Sequence, residues 1–299
     1  MGNYKKAFLF NGIGSKMEKL TEDMPSFLME KFNDYHTDTF RKLNLYMDFD
    51  SCTPLEQIIN RWITSSVCDR VIFEYYAEKG IKPDICAGYS SGIGNLCACL
   101  GVIPFDFSYR IFLENSKTII ELQKVGVSLD MGTIIGLDAD TTQEIIDELA
   151  LQDSVVIGSV NSLICVMISG YKTAVEQVLE KALAEGALKA IQMNLPVAFH
   201  NTIVAPYCKD FIDFCETQEF ADSTIPVVSS VDQRIITSGN DLRYENQSNI
   251  IKQMRWDLTI KKLQDLGVTE FYDVSASFDV KKFSRWNKKK SKFFTYLDI

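Results

Sequence analysis

Apolar positions along the 299-residue chain switch between a strand-like and a helical rhythm. Ala7-Phe8-Leu9-Phe10 is a short continuous apolar run closed by Asn11-Gly12-Ile13-Gly14, which predicts a buried central strand running into a glycine turn. From Thr53 to Lys79 the residues Leu55, Ile58, Ile59, Trp62, Ile63, Val67, Val71, Ile72 and Tyr75 recur at helical spacing, with Gly80 as a stop. Asp84-Ile85-Cys86-Ala87-Gly88 then predicts a short strand. The stretch from Ile93 to Leu100, apolar with small residues and ended by Gly101, predicts a buried helix. Between them lies Gly88-Tyr89-Ser90-Ser91-Gly92, so the local order is strand, sharp turn, helix.

Between residues 127 and 193 the pattern becomes strand (132–136), helix (141–149), strand (154–159), strand (164–169), helix (172–185) and strand (188–193). That βαββαβ order is a ferredoxin-like unit. It interrupts a larger α/β body to which 225–229 and 271–274 add further strands. The expected division is a core of 1–126 and 194–299 with 127–193 inserted, and two such lobes leave a cleft between them.

Hydrophobic residues make up 46% of the chain and charged residues 24%, which supports a large packed core rather than disorder. A net charge of −9 has the wrong sign for a nucleic-acid surface. Against that background Lys281-Lys282, Arg285, Lys288-Lys289-Lys290 and Lys292 form a basic cluster, either a docking patch for an acidic carrier protein or a solvated terminal helix. The eight cysteines are scattered mostly among apolar residues without a CxxC, and the chain has only two histidines, so metal-ligand spacing is absent. The opening Met1-Gly2-Asn3-Tyr4-Lys5-Lys6 leads into an apolar run far too short for a signal-peptide core or a membrane span. Lys6 also stands where a myristoylation pattern wants Ser or Thr. The expectation is a cytoplasmic monomer with reduced thiols and no metal, nucleic-acid or membrane partner.

A serine hydroxyl is a weak nucleophile. It needs an adjacent base, and donors for the oxyanion that its attack creates. Ser90 has the turn that projects such a side chain from the top of a sheet, with flanking glycines that permit close packing. The base must be His36 or His200, because no other side chain here titrates near neutrality without strong perturbation. His36 lies in the polar stretch Asn33-Asp34-Tyr35-His36-Thr37 and reads as a surface-loop residue. His200 closes Leu195-Pro196-Val197-Ala198-Phe199 just after the inserted lobe, where a cleft residue belongs, and is read as the base, with a hydrogen-bonded structural histidine as the alternative.

Several ordered segments resemble one family across nearly the whole chain. The stretch from Ala7 to Ser15 resembles the opening "AFLFPGQGS" of malonyl-CoA:acyl-carrier-protein transacylases and polyketide synthase acyltransferase domains. Gly88-Tyr89-Ser90-Ser91-Gly92 sits where that family has GHSLG, and Gly101-Val102-Ile103 is similar to the "AGVL" that follows. Gly132 to Asp138 resembles "AIIGLD", and Val160-Asn161-Ser162 resembles "NxNSP". Leu195 to His200 resembles "LPVSxPSH", and Ile225 to Asp232 resembles "VPVVxNVD". The resemblance implies an α/β fold, with an α/β-hydrolase-like large subdomain and an inserted ferredoxin-like small subdomain. It implies acyl transfer through Ser90 with His200 as base, no bound cofactor, acyl-CoA or phosphopantetheinyl acyl carrier protein as substrate, and acyl carrier protein as partner. It also implies an oxyanion hole from the backbone N–H groups of Ser91 and Ile13. The backbone carbonyl of Asn249, placed by its spacing to Trp256, would orient His200, and Asn161 would join the substrate site.

Four departures alter that picture. Malonyl-specific members hold the substrate carboxylate with an arginine in the helix after the nucleophile, where a bidentate guanidinium fits it. Aligning Phe107-Ser108-Tyr109-Arg110-Ile111 with the family's "VRL" puts Asn115 at that position. A buried carboxylate without its partner costs several kcal/mol, so malonyl and methylmalonyl groups are disfavoured. Tyr89 replaces the histidine beside the serine, Ile93 the usual glutamate, and Ser275-Ala276-Ser277 stands for "GPG". Tyr89 and Phe199 are expected to make the acyl chamber more apolar. The readings that remain are transfer of a neutral or atypical acyl group in fatty-acid or polyketide biosynthesis, hydrolysis of stalled acyl-carrier thioesters, and a non-catalytic carrier-docking scaffold.

Overall fold

The apolar run near the start of the chain forms β1 (Lys6–Phe10), buried from Ala7 onward, in the middle of a six-stranded sheet. The computed structural model describes residues 4–12, 24–45, 52–286 and 291–299. After β1 come α1 (Ser26–Leu43), α2 (Pro54–Glu78), β2 (Ile85–Gly88), α3 (Gly92–Cys99) and α4 (Phe105–Lys124). The interrupting segment follows as β3 (Leu129–Ile135), α5 (Ala139–Glu148), β4 (Val155–Ser162), β5 (Cys165–Tyr171), α6 (Lys172–Ala184) and β6 (Lys189–Gln192). The chain then gives α7 (Lys209–Glu216), β7 (Val227–Val228), β8 (Ile235–Ile236), α8 (Gly239–Asn249), β9 (Met254–Arg255), α9 (Trp256–Asp265), β10 (Glu270–Asp273), α10 (Asp279–Ser284) and β11 (Lys292–Phe294).

The large sheet has the order β11-β10-β1-β2-β7-β8, parallel except for the last pair. Consecutive residues of β1 and β2 point to opposite faces, yet all from Ala7 and from Ile85 are buried, so both faces of the sheet are covered there. Burial on both faces explains the continuous apolar runs. The helix predicted over Thr53–Lys79 is α2, whose start is fixed by a capping box between Thr53 and Glu56.

The second sheet has the order β6-β3-β5-β4-β9. Its strands alternate between two cores. Ile134, Val166 and Ile168 pack with Ile145, Val175 and Val178 of α5 and α6, while Leu129, Met131 and Met167 on the opposite face join the core of the large body. The fifth strand is unforeseen: β9, far along the chain, pairs in parallel with β4 through Ser159–Met254 and Val160–Arg255. Two residues are too few to carry a strand signal, so only the fold brings β9 to this edge.

His36 departs from expectation. It is not in a loop: it lies in α1, buried, its ring between Phe32 and Phe40 at centroid distances of 5.1 and 4.1 Å, with one ring nitrogen 3.0 Å from Thr64 Oγ1. The reason is a helical stripe, Leu28, Phe32, His36 and Phe40, spaced by four and masked by the polar residues between. Burial pushes its imidazole down to about 4. In the basic cluster Lys281 pairs with Asp298 and Lys282 with Asp279, each at 2.9 Å, so these charges are answered locally; Lys288, Lys289 and Lys290 lie outside the described residues.

Candidate active site

Ser90 occupies the turn between β2 and α3 with φ of 53°, a left-handed conformation costly for a residue with a Cβ. Tyr89 N–H donates to Phe10 O at 2.8 Å and Gly92 N–H to Tyr89 O at 2.9 Å, which hold the turn against β1. A Cβ at Gly92 would lie 2.6 Å from Phe10 O, and one at Gly88 would lie 2.7 Å from Ile93 N. The two motif glycines therefore answer close packing, while the strained backbone belongs to the serine itself.

Across from it, Ser90 Oγ is 2.9 Å from Nε2 of His200. His200 is almost fully buried and also left-handed, with φ of 62°. It is held from two sides. Its Nδ1 lies 2.6 Å from the carbonyl oxygen of Asn249, and its backbone N–H donates to Ile250 O at 2.7 Å, both at the C-terminal end of α8. On the other side the small sheet grips its neighbours: Ser169 Oγ donates to Phe199 O at 2.6 Å and Asn201 Nδ2 donates to Ser169 O at 2.9 Å. A carbonyl only accepts, so Nδ1 carries the proton and Nε2 presents its lone pair to the serine. Burial pushes the imidazole down to about 4, opposed by the Asn249 and Lys252 backbone groups, which leaves a neutral base at neutral pH.

Ser91 is the N-cap of α3, and among the described residues its N–H has no hydrogen-bond partner, as a donor for an oxyanion requires. Ile13, the other expected donor, lies outside the described residues. Gly12 passes beside the nucleophile, where an added Cβ would be 3.0 Å from Ser90 Cβ.

The remaining expected site residues divide. Tyr89 is packed edge-on to Trp256 (5.4 Å between centroids) and against Phe283 (5.0 Å). Burial pushes its phenol up, opposed by the Ser159 and Asn161 side chains, so Tyr89 and Asn161 are neighbours. Asn161 Oδ1 accepts from Ser159 Oγ at 2.6 Å. Phe199 turns the other way, toward Trp62 of α2 at 6.2 Å, and Trp62 in turn meets Phe112 of α4 at 6.1 Å. Asn115, one helical turn beyond Phe112, is buried on the same helix. In the sequence Trp62 reads as one apolar residue in a helical stripe, and Ser169 carries no local signal. Among the described residues no cluster of His, Cys, Asp or Glu could hold a metal ion, and no helix is long and apolar enough to cross a membrane.

The chain is 24% identical over 277 residues to the malonyl CoA-acyl carrier protein transacylase of Bacillus subtilis, covering 90% of this chain and 86% of that protein. The Escherichia coli K12 protein of the same name is 26% identical over 282 residues, covering 90% and 88%. This chain is a homologue of those transacylases. Its fold superposes with a TM-score of 0.80 on a malonyl-transacylase solved in complex with the holo acyl-carrier protein of a type II polyketide synthase, at 22% identity and covering 99% and 96% of the two chains. No protein-family profile matches the sequence. The shared fold is that of the transacylases: a mixed α/β body of two subdomains.

Proposed function

We propose that the protein is an acyl-carrier-protein S-acyltransferase that works through an ester on Ser90. The observation that carries this reading is the contact of 2.9 Å between Ser90 Oγ and a neutral, buried His200 whose other nitrogen is held by Asn249. Ser90 Oγ attacks the thioester carbonyl carbon as its proton passes to His200 Nε2, and the oxyanion that forms faces the Ser91 N–H. Collapse breaks the C–S bond, the proton goes to the leaving thiolate, and the acyl group stays on Ser90. A carrier thiol then gives its proton to His200 and attacks the ester, and the C–O bond breaks with the proton returned to Ser90 Oγ. No cofactor enters; acyl-CoA and the carrier protein are the substrates.

The acyl group we propose is neutral. Asn115 Oδ1 and Trp62 Nε1 are both buried without a partner among the described residues. The ring contacts from Phe112 through Trp62 to Phe199 link them to the base. An amide and an indole N–H suit a hydroxyl or keto group, and neither can neutralise a carboxylate. Arg110 is the only arginine of α4, and it is exposed. The two hydrophobic cores support dividing the chain into a 1–126 plus 194–299 body and a 127–193 lobe. Eight free cysteines support a reducing, cytoplasmic setting.

The test is incubation with malonyl, acetyl and 3-hydroxyacyl thioesters, with and without holo carrier protein, followed by intact-protein mass spectrometry. Neutral groups should appear on Ser90 and move to the carrier. Free acid without carrier loading would contradict transfer, and stable malonylation of Ser90 would contradict the neutral pocket.

A further inference from the structure

We infer that Ser230 and Glu245 are positioning residues for His200, acting through Asn249. The inference rests on the reading of His200 as the base. The chain of contacts is continuous and buried. His200 Nδ1–H donates to Asn249 O at 2.6 Å, and Asn249 Nδ2 donates to Ser230 Oγ at 2.9 Å. Ser230 Oγ donates onward to Glu245 Oε1 at 3.1 Å, and the Ser230 backbone N–H reaches the same oxygen at 2.8 Å. Ser229 Oγ occupies Oε2 at 2.7 Å. Glu245 is 2% exposed and Asn249 1% exposed.

The network joins α8 to the segment that follows β7. Glu245 and Asn249 lie one turn apart on α8, whereas Ser230 follows β7, and Ser230 O also accepts from Arg255 N–H at the start of α9. The last residues of a helix fray readily, because their carbonyls lack intrahelical partners. Asn249 is the last residue of α8, so the carbonyl that aims the imidazole stands at the least constrained point of its helix. The Asn249 side chain, bonded to Ser230 and through it to Glu245, fixes that end. Burial pushes the Glu245 carboxyl up, against the pull of the Ser229 and Ser230 donors; all three bonds use it as acceptor.

The experiment is proton NMR of the imidazole N–H resonances, together with Ser90 acylation kinetics, in Asn249→Ala, Ser230→Ala and Ser230→Thr. Asn249→Ala keeps the backbone carbonyl and removes only its brace. With two histidines in the chain, His36→Phe assigns the pair of signals. Asn249→Ala and Ser230→Ala should move the His200 Nδ1–H signal upfield and speed its exchange with water. They should lower the acylation rate about tenfold at saturating donor while KM stays within twofold, and Ser230→Thr should restore both. An unmoved Nδ1–H signal in Asn249→Ala, or rates that follow thermal stability alone across the three variants, would overturn the inference. If the signal moves but His200→Ala acylates as fast as the parent, the brace stands and the base assignment falls instead.

Discussion

His200 Nδ1 lies 2.6 Å from the carbonyl oxygen of Asn249, and that contact decides what the imidazole does. Among the described residues no aspartate orients the ring; the C-terminal end of α8 does so, and in the proposed mechanism the partial negative charge of that helix end favours an imidazolium while a proton is in transit. The carbonyl keeps Nδ1 protonated in the resting state, so the Nε2 lone pair faces Ser90.

The pH dependence of Ser90 acylation follows. In the proposed mechanism His200 must be neutral to accept the proton, and burial pushes its imidazole down to about 4. The single-turnover rate should rise as pH increases through about 4 and stay level from there to neutrality. Stopped-flow or quench measurements with a neutral acyl thioester check this; a rise centred at an ordinary histidine value would mean that the ring works in contact with water.

His36 bears on stability rather than chemistry. Its folded value of about 4 lies below that of an exposed histidine, so the unfolded chain takes up a proton first and stability falls as pH drops from about 6.5 through about 4. Removing the group should remove that loss. Urea unfolding should show His36→Phe gaining about 2 kcal/mol on the parent between pH 7 and pH 5, and an equal pH slope in both proteins would contradict the assignment.

Much of this was legible in the chain. Strands buried on both faces leave continuous apolar runs, and the βαββαβ order of the small sheet survives as periodicity, so β1, β2, α2 and β3 to β6 stand where the pattern puts them. Turn chemistry singles out Ser90 and the scarcity of titratable groups singles out His200, and the two side chains meet in space. What stayed hidden depends on long-range pairing or on mixed polarity. Residues Met254 and Arg255 become a strand only because β4 offers an edge, and His36 looks solvated because Asn33, Asp34 and Thr37 flank it on other faces of the helix. Ser230 and Glu245 matter through bonds between segments 15 residues apart, for which no local spacing rule exists.

Gly92 tests the account of the motif. Its added Cβ would press on the Phe10 and Asn11 carbonyl oxygens, and backbone there has no room to yield. Gly92→Ala should cost several kcal/mol or displace Ser90 from His200, seen as a lowered thermal midpoint together with lost acylation. Normal stability with normal acylation would mean that β1 does not pack against the turn as described.

Asn115 tests specificity. Placing a guanidinium on that buried face of α4 supplies the partner a carboxylate needs, so Asn115→Arg should raise malonyl loading of Ser90 relative to acetyl by tenfold or more. An unchanged ratio in a folded variant would place the acyl terminus elsewhere.

The most direct measurement is intact mass of the protein after exposure to an acyl-CoA and then to holo carrier protein, for the parent, Ser90→Ala and His200→Ala. The parent should gain one acyl group, mapped to Ser90, and lose it to the carrier. Ser90→Ala should gain none, and His200→Ala should slow both gain and loss by a hundredfold or more. An adduct that persists in Ser90→Ala, or carrier loading that proceeds without any adduct on the parent, would contradict an acyl-Ser90 mechanism.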